Sequence, residues 1–249
     1  MRDRRENGFV FVEGARIAEE VLKSALPVRE IFYTAEFASS ERGGKFLDRA
    51  KDFPLNEVTE KVFASLADTK NSQGVVVICK KPPTGKDTVE ESLRNLKTSP
   101  ALVVLLHQIN NPSNLGAILR TAEAVDATGV ILTRNSADVF SPKAIRSAMG
   151  ASLRLPLWTN ADYTEALQWA REKNLRSVCA DVNAAKKHTE IDWKIPSLLV
   201  LGSEAHGLSA EERAQVDESL LIPMKNNVES LNVAVACGIV LYEARRSEL

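Results

Sequence analysis

Residues 101–106, Ala-Leu-Val-Val-Leu-Leu, form an unbroken apolar run without the polar alternation of a half-exposed strand. Such a run suits a strand covered on both faces, the habit of parallel sheets flanked by helices. The chain beyond it repeats the theme. Strand candidates lie at Gly129–Thr133, Ser177–Ala180, Ser197–Leu201 and Ser219–Ile222, and helix candidates at Leu115–Val125, Pro142–Met149, Ala161–Lys173, Ala210–Val216 and Leu231–Arg246. Strand and helix alternate, so the expected fold is α/β: a mostly parallel sheet with helices on both faces.

Residues 9–79 carry the same signals on a smaller scale, with helices predicted at Gly14–Ala25 and Glu41–Lys51 and strands at Glu30–Thr34 and Gly74–Cys79. The stretch Lys80-Lys81-Pro82-Pro83-Thr84-Gly85-Lys86 breaks the pattern, and a charged, helix-like piece over Thr88–Leu96 follows. The expected organisation is a small α/β domain over 1–80, a linker over 81–100 and a larger domain over 101–249.

Several function classes are unsupported. Cys79, Cys179 and Cys237 stand far apart without CxxC spacing and the three histidines are scattered, so neither a disulfide framework nor a metal site is expected. No apolar run is long enough to cross a bilayer, and Met1-Arg2-Asp3-Arg4-Arg5 leads into no signal-like segment, which predicts a cytoplasmic protein with no membrane partner. No GxGxxG follows a strand and no GxxxxGK[ST] occurs. The net charge of −1 does not announce a nucleic-acid protein. Basic spots at Arg2, Arg4 and Arg5, at Lys143 and Arg146, at Arg154, and at Lys186 and Lys187 fit a local basic face or an ordinary solvated surface.

In open α/β sheets ligands bind beyond the carboxyl ends of the strands. Three polar or small-residue segments leave predicted strands in this way: His107–Arg120, Gly202–Ser209 and Pro223–Asn232. Each also has a purely structural reading. Asn, Pro and Ser at 110–114 make a turn and helix cap. Against that, Arg120 falls amid Ala, Ile and Leu, where a cation is costly unless it faces a cleft or an anion such as an RNA phosphate. Ser209 ahead of Glu212 makes a capping box, while Gly202 and Gly207 allow close backbone approach to a ligand and Glu204 stays unexplained. Ser230 sits where an N-cap belongs, with Asn232, a poor helix former, just inside the helix.

Taken together, the three segments resemble the SpoU family of RNA ribose 2′-O-methyltransferases, within the SPOUT class. Asn114-x-Gly116-x-x-x-Arg120 is similar to the family's first motif. Leu201-Gly202-Ser203-Glu204-x-x-Gly207-Leu208 is similar to its second. Ile222-Pro223-Met224 through Ser230-Leu231-Asn232-Val233-x-Val235-Ala236 is similar to its third. Asn226 stands where a glycine is usual, and asparagine tolerates the left-handed backbone better than most residues. Residues 9–79, with Phe11-Val12-Glu13-Gly14 and Asp68-Thr69-Lys70-Asn71-Ser72-Gln73-Gly74-Val75-Val76, resemble the small L30e-like substrate-binding domain that precedes the catalytic domain in many members. The chain begins close to that Glu-Gly element, so contacts made by residues further upstream in relatives are not assumed.

The resemblance implies S-adenosylmethionine as methyl donor, a homodimer with its interface beside the donor site, and a C-terminal trefoil knot, an exception to the usual rule against threaded chains. Gly202, Ile222, Met224 and Leu231 match donor-binding positions, and Asn114, Arg120, Glu204, Ser230 and Asn232 match the catalytic set. A guanidinium resists deprotonation, its pKa lying above about 12. Arg120 is therefore expected to stay cationic, gripping RNA phosphate and stabilising the developing alkoxide. Asn114 and Ser230 are expected to orient the phosphate or Arg120, with Glu204 bracing Asn114. The implied substrate is 23S ribosomal RNA; transfer RNA, or a catalytically idle RNA-binding protein of the same fold, are the alternatives.

Overall fold

The computed structural model describes residues 8–69, 71–96, 99–226 and 228–248. Arg2, Arg4, Arg5, Lys70 and Asn227 lie outside them. In chain order the elements begin with β1 (Phe9–Glu13), α1 (Ala15–Lys23), β2 (Val28–Tyr33), α2 (Ala35–Ser39), α3 (Glu41–Ala50), β3 (Leu55–Glu57), α4 (Glu60–Leu66) and β4 (Val75–Lys80). There follow α5 (Lys86–Arg94), β5 (Leu102–Leu106), α6 (Pro112–Ala124), β6 (Gly129–Thr133), α7 (Pro142–Ala148), β7 (Leu157–Ala161) and α8 (Tyr163–Glu172). The last are β8 (Arg176–Ala180), β9 (Lys186–Lys187), β10 (Ser197–Leu201), α9 (Ala210–Arg213), β11 (Glu218–Leu221) and α10 (Val233–Ala244).

These elements group into two compact units, Met1–Pro82 with Val139–Arg154, and Pro83–Asp138 with Leu155–Leu249. The first is built on a four-stranded sheet of order β1-β4-β2-β3, in which β4 runs antiparallel to both neighbours and β3 parallel to β2. Its short elements α2, α4, β1 and β3 had no clear periodic signal. The segment 139–154 belongs to this unit for a chemical reason. Glu13, only 4% exposed, accepts from the Asp68 amide at 2.7 Å and from the Thr69 hydroxyl. Arg146 of α7 lies 3.8 Å from the same carboxylate and donates to Asp68 at 2.9 Å.

The second unit carries a seven-stranded sheet of order β7-β6-β5-β10-β8-β11-β9, parallel at every pairing. Strands β5, β6 and β10 are buried at every residue, as an unbroken apolar run demands. On one face Val103, Leu105, Ile131, Leu198 and Val200 share a core with Tyr163 and Trp169 of α8 and Val89 of α5. The alternate residues Val104, Leu106, Val130, Leu132 and Leu199 are equally buried, and since neighbours on a strand point to opposite faces, the second face is covered too. Helix α6 packs on β6 and against α10. The stretch read as a linker holds α5, which contacts β6 and β7. Val89 comes so near that a Cβ on Gly129 would sit 3.0 Å from it.

Helix α10 begins two residues later than expected. Asn232, not Ser230, is its N-cap: the Asn232 Oδ1 accepts from the amides of Ala234 at 2.9 Å and Val235 at 3.4 Å. The helix also ends earlier, at Ala244, where the Arg245 guanidinium turns inward. It is 3% exposed and donates to the carbonyls of Pro100 at 3.0 Å and of Val125 and Asp126 at 3.3 Å. In three of the predicted basic spots one residue is ion-paired, Arg146 with Asp68, Arg154 with Glu20 and Lys186 with Glu218. Among the described residues no helix is long and apolar enough to cross a membrane.

Candidate active site

Because every pairing in the large sheet is parallel, the loops leaving β5, β10, β8 and β11 emerge along one edge in that spatial order. They enclose a cavity of about 510 Å³. Asn114, Gly202, Glu204, Ile222, Met224, Ser230, Leu231 and Asn232 all line it. Arg120 does not.

The loop after β5 is shaped by its first residues. His107 is buried, with its Nε2 2.8 Å from Glu212 Oε1 and its Nδ1 3.1 Å from Thr133 Oγ1. Gln108 then takes a left-handed φ of 56° while its amide bonds Thr133 Oγ1 at 3.1 Å. That turn aims two successive amides at one carboxylate: Asn110 N–H reaches Glu204 Oε2 at 3.2 Å and Asn111 N–H reaches Oε1 at 3.1 Å. Helix α6 starts at once, with Asn111 as N-cap and Pro112 in its first turn, so Asn114 faces the same carboxylate and donates to Glu204 Oε1 at 3.3 Å. Asn232 donates in turn to Asn114 Oδ1 at 3.1 Å. Asn232, Asn114 and Glu204 thus form one hydrogen-bonded line across the loops of β11, β5 and β10.

The loop after β10 requires its glycines. A Cβ on Gly202 would stand 2.2 Å from the Gly207 carbonyl carbon and 2.5 Å from the Leu208 nitrogen. The chain doubles back there, Gly207 N–H bonding the Ser203 carbonyl at 2.9 Å, with Gly207 at φ 65°. Ser209 and Glu212 then form the predicted capping box. Burial pushes the Glu204 carboxyl up, but the amides of Asn110, Glu204 and Asn111 and the Asn114 side chain outweigh it and hold its pKa below the ordinary value. Glu212 is similarly lowered, burial being opposed by the Ser209 amide and the His107 ring.

Arg120 occupies a different place from the one its sequence setting suggested. Six residues beyond Asn114, it lies about 120° away around the helix. Its side chain is exposed and makes no ion pair among the described residues, so the apolar neighbours impose no burial cost. Ser230 is exposed at the cavity wall without a hydrogen-bond partner among the described residues. Asn226 has φ 58°, the left-handed geometry a glycine would adopt freely.

Sequence reasoning missed part of the wall. Asp181 and Asn183, in the loop after β8, line the cavity, as does Arg213 of α9, ion-paired with Asp181. The signal was available, since Asp181 directly follows a predicted strand at the same sheet edge. Cys179 also lines the cavity, its thiol pushed up to about 11 by burial, which leaves it protonated and unreactive near neutrality.

The chain as a whole has counterparts among known proteins. A family model for the SpoU rRNA methylase family matches residues 101–242, and one for an MRM3-like substrate binding domain matches residues 1–77. A 23S rRNA (guanosine-2′-O-)-methyltransferase of Coxiella burnetii is 30% identical over 94% of this chain and 94% of its own. An uncharacterised tRNA/rRNA methyltransferase of Synechocystis is 32% identical over 99% of this chain and 87% of its own. Among solved structures, the SpoU methyltransferase AviRb of Streptomyces viridochromogenes in complex with AdoMet superposes with a TM-score of 0.86 at 27% identity, covering 99% of this chain and 92% of that one. An AdoMet-bound rRNA methyltransferase of Sinorhizobium meliloti gives 0.83 at 27% identity, covering 100% and 91%.

Proposed function

Because the chain belongs to the SpoU rRNA methylase family, we propose that it transfers the methyl group of S-adenosylmethionine to a ribose 2′-hydroxyl of RNA. The observation that carries this reading is the Asn232–Asn114–Glu204 line running along one cavity with Gly202, Ile222, Met224 and Leu231. The donor fits the chemistry of these residues. A cavity of about 510 Å³ falls in the range of roughly 300–1,000 Å³ that small-molecule sites occupy. Apolar Ile222, Met224 and Leu231 suit an adenine ring, and Gly202 lets backbone amide groups approach. When bound, the donor supplies an electrophilic methyl on a sulfonium.

The chain's own residues supply placement and charge. Transfer to a ribose hydroxyl requires in-line geometry, and positioning of this kind can lower a barrier by about 7–11 kcal/mol. Asn114, fixed from both sides, orients the acceptor or its phosphate, and Glu204 holds Asn114 through a carboxylate that stays ionised at neutral pH. Ser230, at the cavity wall and without a partner among the described residues, offers a further hydrogen bond to RNA. Arg120 remains cationic, grips phosphate and stabilises the developing alkoxide, while the hydroxyl's proton passes through a phosphate oxygen to solvent.

Arg120 stands off the cavity of its own chain, on the helix that packs against α10. Helix α10 is apolar nearly all round, with Val235 52% and Tyr242 53% exposed. An unpaired apolar helix face of this kind is completed by a second copy, and dimerisation through α10 brings Arg120 to the edge of a cavity. A trefoil knot in the C-terminal part belongs to the same reading, as do substrate binding by residues 1–80, a catalytic region over 101–249 and a cytoplasmic location. The likeness to the Coxiella protein, over nearly the full length of both, favours 23S ribosomal over transfer RNA as substrate.

The test is transfer of label from S-[methyl-³H]adenosylmethionine to ribosomal and transfer RNA, followed by alkaline digestion. Label in alkali-resistant dinucleotides from ribosomal RNA is the expected result. Label released in mononucleotides would point to base methylation, and no transfer to either RNA would leave an RNA-binding protein without catalysis.

A further inference from the structure

The cavity holds a charged pair that none of the three motifs explains. Asp181 leaves β8, Arg213 closes α9, and their side chains are ion-paired on the cavity wall. Arg213 is the one arginine or lysine among the described lining residues, against the carboxylates Asp181, Glu204 and Glu229. Glu204 is already engaged by the amides of Asn110 and Asn111 and by Asn114. The Arg213 side chain is 37% exposed and that of Asp181 13%. A guanidinium with five N–H donors, held by one carboxylate, therefore keeps donors facing open space.

S-adenosylmethionine ends in an amino acid whose ammonium and carboxylate are both charged. Bringing a carboxylate from water against a protein wall is unfavourable unless a cation or several donors meet it, and the planar fork of a guanidinium matches a carboxylate better than any other side chain. On this wall Arg213 is the fixed cation. We propose that Arg213, held in place by Asp181, anchors the carboxylate of the donor's amino-acid end, with Asp181 as counter-charge to its ammonium. Arg213 is thus a positioning residue, fixing one end of the donor while the reacting end lies toward Asn114 and Glu204. The inference rests on reading the cavity as the methyl donor's.

Calorimetric titration with two probes tests it: S-adenosylhomocysteine, which keeps the amino-acid end, and 5′-methylthioadenosine, which lacks it. Arg213→Gln should weaken S-adenosylhomocysteine roughly 10- to 100-fold, the worth of a charged hydrogen bond, and leave methylthioadenosine unchanged. Arg213→Lys should fall between. Asp181→Asn, by loosening the arginine, should show the same selectivity to a smaller degree, and serves as the second variant if Arg213→Gln melts lower than the parent. Equal weakening of both probes, or of neither, in variants that melt like the parent overturns the assignment. If the unmodified protein binds neither probe, the functional reading falls and this inference with it. If it binds both equally well, only the anchor falls.

Discussion

Asn226 sits at φ 58° in the loop between β11 and α10, a conformation that costs most L-residues about 1–2 kcal/mol and asparagine less. Asn226→Gly should therefore change affinity for S-adenosylhomocysteine by no more than a few-fold, measured by calorimetry; a tenfold change would mean that the asparagine side chain itself touches the ligand. Glu204 makes a sharper prediction. Its folded pKa lies below the ordinary 4.5, so the order it contributes is complete above that value and is lost as pH falls through the lowered one. Hydrogen exchange of the Asn110 and Asn111 amides should show protection near neutrality that disappears on acidification below about pH 4.5. In Glu204→Gln the protection should be weak at every pH. At this scale the sequence told residue types better than roles. Ser230 and Asn232 are both good caps two positions apart, and only the reach of the Asn232 oxygen to the Ala234 and Val235 amides decides between them. Arg120 looked costly amid apolar neighbours because the sequence does not say which way a helix turns them.

At the scale of elements, long periodic segments were legible and short ones were not. Strands β5, β6 and β10 announce themselves as apolar runs, whereas β3, of three residues, and β9, of two, are defined only by the partners they pair with. The inward turn of Arg245 was equally hidden, since a basic residue closing a helix ordinarily points to water. Its guanidinium satisfies the carbonyls of Pro100, Val125 and Asp126, tying the end of α10 to that of α6 and to the approach to β5. Arg245→Met leaves the carbonyl of buried Val125 unpaired, at about 1–3 kcal/mol, while water can reach those of half-buried Pro100 and exposed Asp126. A loss of about 1–3 kcal/mol, read as a lower urea midpoint with unchanged slope, is expected. A loss under about 1 kcal/mol would show that water replaces the guanidinium without difficulty.

For the whole molecule the question is whether two copies pair as proposed and share their sites. If Arg120 serves a cavity bounded by Asn114, Glu204 and Asn232 of the other copy, Arg120→Ala and Asn232→Ala are each inactive alone but complement when unfolded and refolded together. Random pairing through a two-fold interface then restores about a quarter of the sites. Recovery near that level in a methyl-transfer assay supports a shared site, and none indicates that each copy uses its own arginine. If the exposed face of α10 is the proposed dimer seam, Tyr242→Asp should shift sedimentation from dimer to monomer and abolish activity with little change in melting.

The far edge of the large sheet bears on the same question from the opposite direction. It ends in β9, two residues long and both lysine, with Lys186 tied to Glu218. An edge this short offers a neighbour almost no backbone to pair with, and Lys187, without an ion pair among the described residues, sets like charge against its own twin. Growth of the sheet from molecule to molecule, the ordinary route by which parallel strands turn into aggregates, is blocked at that end. Lys186→Val with Lys187→Val should accordingly precipitate sooner on heating while leaving the catalytic edge untouched.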